Sequence, residues 1–214
     1  MAVIFPRWTN YIPIGLAVAG PLVLGSVVFG FWYWGSPEFL EVGYQPEQPV
    51  PFSHRLHAGE LGLDCRYCHN TVEQAAVAAI PPTGTCMNCH TKVRTDSAKL
   101  AKVRLSDKTG ESIEWVKVHM LPQYAYFDHS VHIAAGVGCK TCHGRVDQME
   151  RVYQAEPLSM KWCLECHRNP GPNIRPPEVA PTDMSWEAPE GHNRTESRSG
   201  RTVAPPTHCS GCHR

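Results

Sequence analysis

Five times the chain writes Cys-x-x-Cys-His: CRYCH (Cys65, Cys68, His69), CMNCH (Cys86, Cys89, His90), CKTCH (Cys139, Cys142, His143), CLECH (Cys163, Cys166, His167) and CSGCH (Cys209, Cys212, His213). These motifs use all ten cysteines, so none is left over for a disulfide. The spacing suits covalent attachment of haem c: two sulfurs form thioethers to one edge of the porphyrin, and the adjoining histidine is positioned under the iron. A single copy also arises in zinc sites and thioredoxin-like redox pairs. A zinc module, however, has no reason to place histidine directly after every second cysteine. Five covalently attached haem c groups are therefore expected, with zinc ribbons as the rival.

Other features limit what can surround them. The net charge of zero excludes a chain-wide basic field for nucleic acid. The residues after position 34 must be shared among five haems, so the macrocycles supply much of the buried apolar area. The expected fold is a multihaem cytochrome c, mostly irregular, with short α-helices packed around the haems and one N-terminal transmembrane helix.

Residues 11–34, YIPIGLAVAGPLVLGSVVFGFWYW, carry no charge over 24 positions. That length spans a hydrocarbon core of ~30 Å at ~1.5 Å per residue. Arg7 precedes the segment, and Glu38 and Glu41 follow it, favouring a cytoplasmic N-terminus. Haem c attachment outside the energy-transducing membrane demands the same orientation. The expected location is a bacterial inner membrane, crossed once, with the haem region in the periplasm. A cleaved signal peptide is the other reading, but its apolar stretch is normally ~7–15 residues and ends at an A-x-A-like site, which is missing here. Trp8 and Tyr11 at one end and Phe31, Trp32, Tyr33 and Trp34 at the other suit the two interfaces. Gly15 with Ala19, and Ser26 with Gly30, are small residues four apart that let a neighbouring helix approach. Pro13 and Pro21 add a candidate kink.

Beyond this anchor (1–34) and a proline-rich linker (35–51), the chain repeats itself. FSHRLHAGELGLDCRYCH leads to CMNCH, and FDHSVHIAAGVGCKTCH leads to CLECH. First cysteines fall at steps of 21, 53, 24 and 46, two close pairs and a single. One dihaem module used twice is the reading: 52–90 and 127–167. The connector 91–126 holds one short helix within TKVRTDSAKLAKVRL, and the proline-rich tract 168–214 carries the fifth motif and wraps haem surfaces or a partner.

Apart from the five motif histidines the chain holds His54, His57, His119, His129, His132, His192 and His208, enough for a second ligand on every iron. Four of them form His-x-x-His pairs at equivalent places in the two repeats. Three residues apart on a helix places two imidazoles on one face but on successive turns, so each pair serves two haems. His119 is assigned to the haem of Cys86 and Cys89, and His192 to the fifth. His208 abuts Cys209 and is badly placed to reach its own ring. Met160, three residues before Cys163, is the methionine candidate; a thioether there would raise that haem's potential, and core packing is the equal alternative.

The aromatic-x-His-x-x-His arrangement resembles class III multihaem cytochromes c. In these the first histidine ligates the haem of the following motif and the second reaches a neighbour. The resemblance implies that His54 caps the haem of Cys65 and Cys68 and that His129 caps that of Cys139 and Cys142. His57 and His132 would then reach haems of the paired or opposite module. The single helix and five motifs, with WVKVHMLPQYAYFDHSVHIAAGVGCKTCHG and SMKWCLECHR, resemble the pentahaem subunits of alternative complex III, the quinol-oxidising assembly of bacteria lacking a bc complex. That resemblance implies an iron-sulfur subunit, polytopic membrane subunits and a monohaem cytochrome c as partners, with quinol bound in a partner and electrons passed to a periplasmic acceptor. It implies no catalytic site on this chain. A membrane-anchored multihaem quinol dehydrogenase and a multihaem reductase are the rival readings; each keeps an open iron, against which the surplus of histidines weighs.

Overall fold

A computed structural model describes residues 4–36, 39 and 41–213. It divides into two units, Met1–Glu41 and Val42–Arg214. Glu38, part of the charge argument for topology, lies outside the described residues.

The first unit is one helix, α1 (Ile12–Trp34), entered through a 3-10 turn at Arg7–Tyr11. Pro13 sits in the first turn, where its missing N–H costs nothing, and the helix continues through Pro21. No side chain of α1 is buried, and its apolar residues face every direction. Such a surface suits an apolar solvent, and the helix is long and apolar enough to cross a membrane. Near its end Phe29 packs against Trp32 and Tyr33, ring centres 6.0 and 5.9 Å away.

The second unit is built from short helices and irregular chain. Among the described residues it has no β-strand, only three isolated bridges. Its buried apolar residues are few and scattered: Val50, Val72, Val103, Ile133, Met149, Ile174 and Met184. Burial on that scale is thin for a chain of this length. Meanwhile Leu61, Val77, Val93, Tyr124 and Val131, close in sequence to the motifs, remain exposed.

Helices follow the motifs. In the first repeat a π-turn at Arg55–Glu60 precedes α2 (Cys65–Cys68) and α3 (Thr83–His90). The connector folds into α4 (Ala101–Thr109), led by a 3-10 turn from Ala98 and closed by Gly110 at φ 76°. The second repeat holds α5 (His129–Ala135), α6 (Cys139–His143) and α7 (Met160–Arg168).

The two repeats differ at one point. Cys65 lies eight positions after His57, whereas Cys139 lies seven after His132. The extra residue is taken up by the wider turn: Leu61 N–H donates five residues back to Leu56 O at 2.9 Å. α5 is ordinary α-helix, capped by Asp128, which accepts from Ser130 N–H at 2.8 Å, and stopped by Gly136 at φ 104°.

Packing is reciprocal. The π-turn rests on the segment after the third motif: Arg55 N–H donates to Met149 O at 2.9 Å, and Ser53 Oγ–H to Glu150 at 2.7 Å. Conversely, α5 rests on the segment after the first motif, where Ala76 O accepts from both N–H (3.2 Å) and Nδ1 (2.7 Å) of His129. Each repeat's histidine segment is thus seated on the other repeat.

The proline-rich tract is a strap across both. Ile174 and Arg175 are fully buried, and Arg175 N–H donates to Gly136 O at 2.9 Å. Further on, Pro181 O accepts from Cys139 N–H (3.0 Å) while Thr182 Oγ–H reaches Asp64 (2.9 Å). Arg198 N–H donates to Ala134 O at 3.4 Å.

Candidate haem site

On one helical turn, cysteines three apart and a histidine at the next position share a face. α2, α3, α6 and α7 supply such a turn to the first four motifs, and a 3-10 turn at Cys209–Gly211 opens the fifth. Caps set these turns: Asp64 accepts from Arg66 N–H at 2.9 Å, and Ser159 Oγ from Trp162 N–H at 3.3 Å. Arg66 and Thr182 hold the Asp64 carboxyl down at about 2, the guanidinium bond being the largest cause. All ten cysteines are free of disulfides.

Seven of the histidines share one feature. Nδ1 meets a main-chain carbonyl in His57 (Ser53, 2.8 Å), His69 (Ala79, 2.8 Å), His90 (Val93, 3.0 Å), His129 (Ala76, 2.7 Å), His132 (Asp128, 2.7 Å), His167 (Pro206, 2.7 Å) and His213 (Tyr124, 3.0 Å). A carbonyl can only accept, so Nδ1 carries a proton and Nε2 is the nitrogen left to face a metal. Metal-ligating histidines are oriented in this way.

Ring pairs recur at one distance. Ring centres lie 6.2 Å apart for His57 and His90, 6.3 Å for His129 and His143, and 6.1 Å for His132 and His167. Two imidazoles on opposite sides of one metal, each at a bond of about 2 Å, have centres roughly 6 Å apart. His54 lies within electrostatic reach of His69, and its buried Nδ1 has no hydrogen-bond partner. Burial, with His69 and His57 nearby, pushes His54 down to about 4; burial, with His119 and His129, pushes His143 down to about 3. Both rings are thereby kept neutral, the form that binds metal. These residues fit haem c with histidine on both faces. Among the described residues no group of three or more His, Cys, Asp or Glu gathers as a site for a bare metal ion.

Residues 50–109 and 125–214 match the family described as cytochrome c7 and related cytochrome c. The chain belongs to that family. Covalently bound haem c follows from membership, and Cys-x-x-Cys-His is where it attaches. The chain is also 29% identical over 173 residues, 71% of its own length and 81% of the relative's, to a menaquinone reductase multihaem cytochrome c subunit from Nitratidesulfovibrio vulgaris strain Hildenborough.

In this c7-type unit the surroundings of three candidate ligands are as follows. His119, assigned to the haem of Cys86 and Cys89, lies against His143: ring centres are 4.4 Å apart and His119 Nε2 is 3.3 Å from His143 Nδ1. The long connector brings it there, and no periodicity could have signalled that. His192, assigned to the fifth haem, packs edge-on to Trp186 at 5.4 Å, and its Nε2–H donates to Ile174 O at 2.8 Å. The nitrogen needed for iron is therefore engaged in holding the strap. Met160 is exposed at the start of α7, which removes the core-packing alternative. His208 Nδ1 lies 3.2 Å from Ser210 Oγ, and His213 has the Tyr124 ring 5.7 Å away.

Arg175 carries no motif and escaped the sequence reading. Its Nη1 donates to Ala180 O (2.8 Å) and Asp183 O (2.6 Å), its guanidinium lies 5.1 Å from the Trp186 ring centre, and its buried Nε has no partner. The carbonyls of Ala76, Ala79, Val93, Pro206 and Tyr124 were equally invisible, since a main-chain acceptor has no sequence signature.

Proposed function

We propose that this chain is a membrane-anchored pentahaem cytochrome c that relays electrons from quinol oxidation to a periplasmic acceptor, as the resemblance to alternative complex III implies. The observation that carries the relay is the recurrent histidine pairing at about 6 Å, three times over, with each His-x-x-His segment shared between two motifs. On this reading His54 and His69, His57 and His90, His129 and His143, and His132 and His167 cap four haems. Each bound haem c supplies reversible one-electron exchange at iron.

The chain's own residues do the rest. Main-chain carbonyls hold the Nδ1–H of His57, His69, His90, His129, His132 and His167 and so aim Nε2; burial keeps His54, His132 and His143 uncharged; the reciprocal packing of the repeats fixes the spacing. With both faces capped, none of these four irons is open to substrate, which supports a quinol pocket in a partner subunit. An iron-sulfur protein, polytopic membrane subunits and a monohaem cytochrome c are the partners proposed, with α1 spanning the inner membrane and the haem unit in the periplasm.

A second reading reverses the flow. The relative from Nitratidesulfovibrio vulgaris is named for reducing menaquinone, and a chain of haems conducts either way. One experiment addresses both. The membrane complex containing this chain, and the chain purified alone, are mixed anaerobically with a menaquinol analogue and followed by haem absorbance. Reduction in the complex but not in the isolated chain supports the relay; reduction in the isolated chain supports a quinol dehydrogenase. If only pre-reduced complex reacts, and with quinone, the flow is reversed.

A further inference from the structure

We infer that the attachment motifs form one unbranched row in the order second, first, third, fourth, fifth, and that its two ends, at Cys89 and Cys209, are the faces met by one-electron redox partner proteins. The inference rests on the pentahaem reading above and adds an order that differs from the order along the chain.

Each junction has its own contacts. Second and first motifs are joined by the π-turn, which places His57 at His90 and His54 beside His69. Residues inside the two motifs also touch: Asn88 Nδ2–H donates to Tyr67 OH at 3.0 Å. First and third motifs are joined by two consecutive residues of the strap. Pro181 O takes the N–H of Cys139, and Thr182 Oγ–H takes the carboxylate of Asp64, the cap of the Cys65 helix. The Cys65 and Cys139 side chains lie beside one another. They are equivalent positions of the two repeats, so the repeats meet through their first motifs.

Third and fourth motifs are joined by α5, whose His129 and His132 lie 6.3 and 6.1 Å from His143 and His167. Fourth and fifth are joined by Pro206: its carbonyl accepts from His167 Nδ1 at 2.7 Å, and its ring presses on Gly211 inside the fifth motif, where an added Cβ would meet it at 2.5 Å. Electrostatic contacts among the sulfurs repeat the order: Cys68 with Cys86, Cys142 with Cys163 and Cys166, Cys163 with Cys212.

Exposure marks the ends independently. Of the ten cysteines only Cys89 and Cys209 are exposed; the other eight are partly covered. These two belong to the motifs that terminate the row. A donor protein at one end gives up one electron, an acceptor protein at the other takes one, and no bond is made or broken.

Two measurements test the order. X-ray diffraction at the iron absorption edge, on crystals of the detergent-solubilised full chain, locates every iron, and each is assigned through the motif it is bonded to. The expected nearest neighbours follow the row, with the first-motif iron next to the third; a second-motif iron nearest to the third would overturn it. Fewer than five irons would instead sink the pentahaem reading itself. For the second test a photosensitiser is attached at Val93→Cys, an exposed position whose carbonyl holds His90. With Cys139 and Cys142 also changed to Ala, the fast phase of photoreduction should reach half of the remaining haem absorbance. With Cys209 and Cys212 changed to Ala it should reach all of it. Complete fast reduction in the first variant would overturn the row.

Discussion

The ring centres of His57 and His90 lie 6.2 Å apart, 33 positions apart in the chain, while His54, one turn from His57, lies within electrostatic reach of His69. One short segment therefore addresses two motifs. Replacing His57 by Ala should leave the haem on Cys86 and Cys89 attached, because its thioethers and His90 remain, but make its iron five-coordinate. The expected outcome is an unchanged haem mass with a high-spin signal from one haem in electron paramagnetic resonance. His129→Ala should do the same to the haem on Cys139 and Cys142. A fully low-spin spectrum from either variant would refute the corresponding pair.

Interlocking of the repeats can be tested without touching a ligand. A Cβ at Gly59 would lie 2.2 Å from Asp147 O, a main-chain atom that cannot swing aside. Gly59→Ala should therefore cost about 1–3 kcal/mol, the range for overpacking, seen as a lower urea midpoint. Gly84, inside α3 with nothing near its Cβ position, is the control. There Ala should add roughly 0.5–1 kcal/mol through helix propensity. Equal effects at the two glycines would argue that the repeats do not depend on this contact.

Arg175 ties the strap to itself through Ala180, Asp183 and Trp186. Arg175→Met would leave two carbonyls without their donor, at a cost of about 2–4 kcal/mol. Lys should not restore the loss, since an ammonium lacks the planar fork that bonds and stacks together. Limited proteolysis is the readout: new cleavage between residues 176 and 187 in both variants is expected, and protease resistance equal to the parent would count against the role.

Much of this was legible in advance because it is local. Cys-x-x-Cys-His fixes a turn of helix, His-x-x-His fixes a shared segment, and an uncharged run of 24 residues fixes α1 to within a residue. What escaped depends on where distant chain returns. The extra residue before Cys65 is visible in the sequence, but its resolution into a π-turn that sets Gly59 close to Asp147 is not. His119 and His192 were placed by elimination, which has no means of weighing a neighbouring imidazole or Ile174 O as the alternative partner. The strap has no periodicity to read; its path is set by single contacts such as that of Thr182 with Asp64.

His192 allows the two partners, Ile174 O and the fifth iron, to be told apart. If its Nε2–H holds Ile174 O, His192→Ala should cost about 1 kcal/mol for the lost hydrogen bond and leave the spin state of every haem as in the parent. Its electron paramagnetic resonance spectrum should match the parent's. A new high-spin signal would return His192 to the fifth haem.

α1 buries none of its side chains and presents apolar residues on every side, so its attraction is to lipid. Exposing it to water would cost roughly 25 cal/mol for each Å² of apolar surface. Substituting a cleavable secretion signal for residues 1–34 should accordingly yield a protein that stays in the supernatant after ultracentrifugation. The 42–214 unit keeps its own contacts, among them the paired hydrogen bonds between Gly43 and Gln154 and between Gln154 and Tyr44. Its haem absorbance per mole of protein should match that of the full chain. Retention of the truncated protein in membranes washed with high salt would mean that a surface outside α1 holds it there.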